Sequence, residues 1–167
     1  SGPGSISYVL ADAGIKSVDI TFVKVETAVV TVTGSGSGSS LPFTVSPGGA
    51  GSIASLALSD YPAMWVMGIN FNLVVTPLDT YGNVVLATTA TPCVLSVVGV
   101  NPATPNGTLG GSISKALAGP TAYTNIDYRG IGYIKIHASY ASLHADTITM
   151  YILPTPNIAA MDLTITG

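Results

Sequence analysis

Charge is the first property that this chain has little of. Aspartate, glutamate, lysine and arginine together make up 8% of its 167 residues, where roughly 25% is usual for a soluble domain. The five basic residues form no cluster, and the net charge is −3. Because binding to a nucleic-acid backbone needs a basic stripe, we expect no nucleic-acid partner. A surface with so few charges lacks the repulsion that keeps proteins apart, which suits either association with copies of itself or an acidic or hot environment.

Cysteine, glutamate and long apolar runs are also scarce. The single cysteine, Cys93, excludes an intramolecular disulfide framework and a zinc cluster built on thiolates, and it is predicted to be a small buried apolar residue. Glu26 is the only glutamate, which disfavours the paired carboxylates of glycoside hydrolases. No run of 18 uninterrupted apolar residues occurs, so we expect no membrane span.

Two patterns resemble chemical sites without completing them. GGAGSIASLAL at residues 48–58 contains G-x-G-x-x-A, but a dinucleotide site needs a long helix after the glycines, and Pro62 follows too soon. His137 and His144 lie near Asp146 without the denser cluster of ligands that a metal site needs. They are predicted to be surface or interface histidines. The sequence therefore predicts no enzyme activity, no cofactor and no resident metal.

Alternation of apolar and polar residues recurs along the chain, whereas helical periodicity does not. The runs FNLVV (71–75), YIKIHA (133–138) and TITMYI (147–152) alternate in this way, with turn residues between them. Several short strands at such spacing indicate an all-β sandwich or barrel. The residues predicted to face the core are Ile69, Phe71, Leu73, Val75, Ile134, Ile136, Ile148 and Met150.

The stretch LDTYGN (78–83) is predicted to be a tight turn between two strands. The Asp79 side chain can bond to the backbone two residues further on, Gly82 can adopt a positive φ, and Asn83 tolerates the left-handed region. Ligation of calcium by Asp79 together with Asn83 is the weaker alternative. The turn explains these residues without any metal.

The pattern from residue 51 to residue 153 resembles the bacterial immunoglobulin-like domains that recur in large surface and adhesin proteins. The matching pieces are SIASLALSDYP, GINFNLVVTPLDTYGNVV and RGIGYIKIHASYASLHADTITMYI. The resemblance implies an immunoglobulin-like β-sandwich that serves outside the cell or at its surface as a spacer, stalk or binding module. It brings no catalytic residues, and the first fifty residues have no counterpart in the family.

Three segments are predicted: an extended segment at 1–46, the sandwich at 47–153 and a C-terminal strand at 154–167. The first contains GSGSGSS (34–40), which reads as a flexible connector. Before it, SVDITFVKVETAVVTVTG (17–34) is a long extended run whose apolar phase shifts between Phe22 and Val23. This run either adds to a sheet of a neighbouring subunit as a donor strand or folds back as two edge strands of its own sandwich.

The predicted function is that of a structural subunit of an extracellular filament, fibre or surface appendage, whose partners are copies of itself joined by β-strand exchange. The alternative is an adhesin-type binding module that recognises a carbohydrate or a host protein. Asn106 begins the sequon Asn106-Gly107-Thr108, a candidate for glycosylation or simply a turn. Trp65 and Met67, in YPAMWVMG, either line the core or contact another subunit. The candidate subunit-contact residues are Val18, Ile20, Phe22, Val23, Val25, Val29, Trp65 and Met67.

Overall fold

The structure is a computed structural model that describes residues 16–49 and 52–156. These residues form fourteen β-strands and no α-helix, so the all-β prediction is confirmed. The chain divides into two compact units, Ser1–Pro47 and Gly48–Gly167. The predicted C-terminal strand at 154–167 lies, from residue 157 onwards, outside the described residues.

The first unit contains a long hairpin. Its strands are β1 (Glu26–Ala28), β2 (Thr31–Thr33), β3 (Ser37–Ser39) and β4 (Phe43–Val45). β1 pairs antiparallel with β4 and β2 pairs antiparallel with β3. The Ser40 N–H donates to the Val30 carbonyl at 2.8 Å and links the two pairs. We call residues 26–45 the N-terminal hairpin.

The Gly/Ser stretch at 34–40 is therefore not the flexible connector that its composition suggested. Residues 34–36 form the turn of the hairpin, and β3 runs back through the remaining serines. Glycine permits the tight reversal, and Thr31 and Ser39 share a hydrogen bond of 3.1 Å across the strands. The predicted extended run at 17–34 also contains fewer residues in β-strand than expected, because its first strand begins at Glu26.

The second unit is a two-sheet sandwich. One sheet has the order β5-β7-β11-β9, and the other has the order β10-β8-β12-β14-β6 with β13 paired to β12. The strands are β5 (Ser55–Ser59), β6 (Met64–Val66), β7 (Phe71–Leu78), β8 (Pro92–Asn101), β9 (Leu109–Gly110), β10 (Ser114–Ala116), β11 (Thr121–Tyr128), β12 (Gly132–Tyr140), β13 (Leu143–Asp146) and β14 (Met150–Leu153).

This order matches that of immunoglobulin domains, in which strands A, B, E and D face a sheet built on G, F and C. The first sheet therefore has β5 at position A, β7 at B, β11 at E and β9 at D. In the second sheet β13 and β14 together take position G, β12 takes F and β8 takes C. The immunoglobulin-like sandwich predicted from sequence is thus confirmed. All of these strands come from residues 55–153, so the sandwich has its full set of strands within one chain.

The core lies between the two sheets and is built from alternate residues of both. Phe71, Leu73 and Val75 of β7 are buried as predicted, as are the predicted core residues of β12 and β14. Cys93 is a buried free thiol, also as predicted. The buried apolar cluster comprises Leu56, Phe71, Leu73, Val75, Cys93, Leu95, Leu117, Tyr123, Ile126, Tyr128, Ile134, Ile136, Ala138, Met150 and Ile152.

Two residues predicted to be in the core are exposed instead. Ile69 is 51% exposed because it lies in the turn after Gly68, whose φ is +75°, two residues before β7 begins. Ile148 is 58% exposed because the chain shifts register against β12 between β13 and β14. Asp146 lies opposite His137, whereas Met150 lies opposite Ile134, so the chain has one residue more than β12 between these two pairs. Because of that residue, the side chains that face the core have odd numbers in β13 and even numbers in β14.

Candidate subunit-contact surfaces

Over residues 16–47, the described part of the first unit, apolar side chains are present without a buried core. None of residues 16–47 is buried, and a segment of this size rarely builds a core of its own. Ile20 is half-buried, and Phe22 packs edge-to-face on Phe43 with ring centroids 5.0 Å apart. The large apolar residues that remain at least 36% exposed are Val18, Phe22, Val23, Val25, Val29, Val32, Leu41 and Phe43. Five of the six contact candidates predicted in this segment therefore lie on its surface.

A groove of about 540 Å³ runs beside β6, at the edge of the six-stranded sheet. We call it the β6 groove. None of its described lining residues is charged, and Met64 and Ile69 contribute side chains that are more than half exposed. The lining residues are Met64, Trp65, Val66, Ile69, Leu153, Thr155 and Pro156.

Trp65 forms the fixed part of this groove. Its indole N–H donates to the Ile69 carbonyl at 2.8 Å, and its ring packs edge-to-face against Phe71 at 6.2 Å. The indole donor is thus satisfied within the chain, as aromatic residues with a polar atom require when they are partly buried. Met67 packs against the core cluster. Trp65 therefore packs against the core and also lines the groove, whereas Met67 belongs to the core side.

The outer face of the six-stranded sheet is also sparsely charged. Tyr133 stacks on Tyr151 across the β12–β14 pair, with centroids 4.7 Å apart. Tyr151 lies opposite Met64 in the next strand, and Val94 and Val98 on β8 are 38% and 43% exposed. The face thus combines aromatic and apolar side chains with Lys135, which lies opposite Val98. The pairing of Tyr133 with Tyr151 was not predicted from the sequence, although the outward phase of Tyr133 follows from its alternation with Ile134.

His137, His144 and Asp146 lie together on the outer side of β12 and β13. The imidazole rings stack at 5.0 Å, and Nδ1 of His137 lies 2.6 Å from Oδ1 of Asp146. The imidazole carries a charge in this pair only when it is protonated. Within residues 16–49 and 52–156 no group of three or more His, Cys, Asp or Glu residues is arranged to hold a metal ion.

The LDTYGN stretch forms the predicted turn. Gly82 has a φ of +82°, and its N–H donates to the Asp79 carbonyl at 3.0 Å. Oδ1 of Asp79 accepts the backbone N–H groups of Tyr81 at 2.8 Å and Asn83 at 2.9 Å, and the Asn83 amide reaches Oδ2 at 3.0 Å. The hydrogen bond from the Asn83 side chain is the largest influence and lowers the pKa of Asp79; burial opposes it, and the backbone donors of Asn83, Tyr81 and Gly82 lower the pKa further. Both carboxylate oxygens thus act as acceptors inside the turn.

Asn106 lies exposed in the loop before β9 and anchors a close backbone approach. Its Oδ1 accepts the hydroxyl of Tyr128 at 3.4 Å and the N–H of Ile131 at 3.2 Å. A β-carbon on Gly107 would lie 2.5 Å from the Gly130 backbone, so only glycine fits beside it. The asparagine and the glycine of the sequon therefore have structural contacts of their own.

Comparisons with known proteins give a likeness to a solved structure but none to a family or a curated protein. No protein-family model matches the sequence, and no curated protein matches it. Among solved structures, the crystal structure of domains 4 and 5 of the S-layer protein SbsC is similar, with a TM-score of 0.42 and 18% sequence identity. The match covers 76% of this chain and 66% of that chain. The assignment of the fold above comes from the strand order itself.

No helix in the described part of the chain has the length and hydropathy to cross a membrane.

Proposed function

We propose that the protein is a structural subunit of an extracellular or cell-surface filament, fibre or similar assembly, built from copies of itself and without enzyme activity. One observation carries this proposal. The first unit exposes eight large apolar side chains and buries none of residues 16–47. Large exposed apolar surface marks sites of protein contact. The low charge of the whole chain supports the same conclusion, because little repulsion opposes the approach of copies.

The contact takes the form of a strand added at a sheet edge. Because the sandwich has its full set of strands, a neighbouring copy does not need to supply a missing one. Sheet edges nonetheless present backbone groups that an extended segment of another chain can pair with. β5, β6, β9 and β10 lie at the ends of the two sheets. We therefore propose, in place of the strand exchange predicted from sequence, that a strand of one copy is added to the edge of a sandwich that is already complete in the next.

The apolar side chains of the first unit are sufficient to drive such a contact. Burying a Val, Ile or Phe side chain stabilises by roughly 1.5–3 kcal/mol, so six of them contribute on the order of 10 kcal/mol before the entropy of association is subtracted. A contact between the first unit of one copy and the second unit of the next is heterologous. Contacts of this type give an open filament when the rotation between copies does not close a ring.

Negative-stain electron microscopy of the purified chain tests the proposal. We expect fibres of uniform width from the full chain. A truncated variant with residues 48–167 alone keeps its core and should fold, as circular dichroism can check, but should stay monomeric. Fibres of the same width from the truncated variant would show that the first unit is not the contact.

A second candidate function is an adhesin-type module that binds a carbohydrate or a host protein. The stacked pair of Tyr133 and Tyr151 on the outer face favours it, since tyrosine is enriched at recognition surfaces. In that case the full chain should remain a monodisperse monomer at all concentrations. It should then bind a carbohydrate array through a surface that Tyr133→Ala removes.

A further inference from the structure

We infer that Asn106 carries an N-linked glycan, and that this glycan stands at the end of the sandwich where β8 ends and β12 begins. The inference rests on the proposed function only for the location of the chain outside the cell. Within the sequon Asn106-Gly107-Thr108, the fold uses some atoms and leaves unused the two groups that glycosylation requires.

The side-chain amide of Asn106 has a defined orientation. The backbone N–H of Ile131 can only donate, so the atom that faces it at 3.2 Å is the amide oxygen, Oδ1. The Tyr128 hydroxyl donates to the same oxygen at 3.4 Å. Nδ2 is the other atom of the amide, and it makes no hydrogen bond to any residue that the structure describes.

Gly107, the middle residue of the sequon, is required by the packing of the loop. A β-carbon there would lie 2.5 Å from the carbonyl oxygen of Arg129 and from backbone atoms of Gly130, a separation that β-carbons do not show in folded proteins. The oxygen of Asn106 and the glycine after it are therefore both explained by the fold of the second unit.

The hydroxyl of Thr108 has no such explanation. Thr108 is exposed, and its backbone carbonyl accepts the Arg129 N–H at 3.0 Å, a bond that any residue could make at this position. Its Oγ1 makes no hydrogen bond to a described residue. The fold thus does not need a threonine here, whereas a sequon needs a hydroxyl at its third position.

The chemistry of the transfer leaves the contacts of Asn106 in place. Nδ2 forms a bond to the anomeric carbon of a sugar, which a separate transferase supplies as a lipid-linked phosphate or diphosphate. The bond between that carbon and the phosphate oxygen breaks, and the phosphate leaves with the electron pair. Nδ2 gives one of its two protons to a base of the transferase and becomes a secondary amide. Oδ1 is unchanged, so it still accepts from Tyr128 and Ile131.

The loop at residues 102–108 places the glycan at one end of the sandwich. It connects β8 of one sheet to β9 of the other, and Asn101, the last residue of β8, lies opposite Tyr133 near the start of β12. A glycan adds hydrated bulk at this end, in a chain with few charged residues to hold water. We expect this end of each sandwich to stay free of other copies in the proposed assembly.

Mass spectrometry of the protein purified from the cells that produce it tests the inference. Peptides that contain residue 106 should have the mass of the unmodified sequence plus that of at least one sugar, and fragmentation should place the sugar on Asn106. Asn106 begins the only N-x-S/T sequence of the chain, so the other asparagines are internal controls. An unmodified Asn106 would overturn the inference.

Variants of Thr108 made in the same cells separate glycosylation from a structural role. Thr108→Val keeps the shape of the side chain and the backbone bond to Arg129 but lacks the hydroxyl, so the sugar should be lost, whereas Thr108→Ser should retain it. In a host that does not glycosylate, wild type and Thr108→Val should unfold at the same urea concentration. A sugar retained by Thr108→Val, or a lower unfolding midpoint of this variant in that host, would contradict the assignment.

Electron microscopy of the same preparations distinguishes this inference from the proposed function. Fibres from a chain whose Asn106 is unmodified would overturn the glycan and leave the proposed function standing. A glycosylated chain that remains a monomer at all concentrations would support the glycan and overturn the proposed function.

Discussion

Thr147 makes two hydrogen bonds to Ile136. Its backbone N–H donates to the Ile136 carbonyl at 2.9 Å, and its Oγ1 accepts the Ile136 N–H at 3.0 Å. The threonine hydroxyl thus takes the place of a backbone acceptor where the register shifts between β13 and β14. The bulge is held by one side chain that is 2% exposed.

Replacing that hydroxyl should destabilise the sandwich. Thr147→Val keeps the volume of the side chain but leaves the Ile136 N–H without its acceptor. A buried donor without a partner costs about 1–3 kcal/mol. Urea unfolding should therefore show a lower midpoint for Thr147→Val, while Thr149→Val, at an exposed position two residues on, should match the wild type. Equal midpoints would mean that the bulge does not depend on the hydroxyl.

Gly82→Ala should destabilise the turn at residues 79–83. The φ of Gly82 is +82°, and a β-carbon in the left-handed region costs about 1 kcal/mol. No atom lies within 4 Å of where the β-carbon would be, so the loss comes from the backbone alone. Gly38→Ala is the control, because Gly38 also has open space around it but no positive φ. Thermal unfolding should separate the two variants.

The stability of the fold should depend on the ionisation of Asp79. Hydrogen bonds, first from the Asn83 side chain, lower its pKa from the ordinary value of 3.8. Since the folded-state pKa is the lower one, the stabilisation is fully present above the unfolded-state value and is lost as the pH falls through the folded-state value. The difference in unfolding midpoint between wild type and Asp79→Asn should therefore be constant near neutral pH and shrink below pH 3.8. A difference that does not change with pH would contradict this.

Sequence reasoning succeeded where the alternation of side chains is local. β7 has one face on the core, so Phe71, Leu73 and Val75 can be assigned from their spacing alone. The turn at residues 79–83 is equally local, because Asp79, Gly82 and Asn83 specify it without help from distant residues.

It failed where a distant partner decides the geometry. The bulge that exposes Ile148 depends on a hydrogen bond between Thr147 and Ile136, which are eleven positions apart. The pattern of residues within β14 cannot reveal this bond. The exposure of Ile69 could have been anticipated, since Gly68 before it is a turn signal. The Gly/Ser stretch at 34–40 has the composition of a linker, but it pairs with β2.

The candidate site was predictable only in part, for a related reason. Trp65 was identified from its own neighbourhood in the sequence. The β6 groove also needs Leu153 and Pro156 from the far end of the sandwich, and the parallel pairing of β6 with β14 brings them there. A groove that joins two distant segments leaves no signal in either one.

The strand set of the sandwich has a consequence for the order of events in assembly. Because every strand of both sheets comes from residues 55–153 of one chain, folding of the sandwich is a first-order process whose rate does not change with the amount of protein. Joining of copies is second order and rises with concentration. In the proposed assembly, the amount of chain that accumulates would therefore set when copies begin to join, with each sandwich already folded.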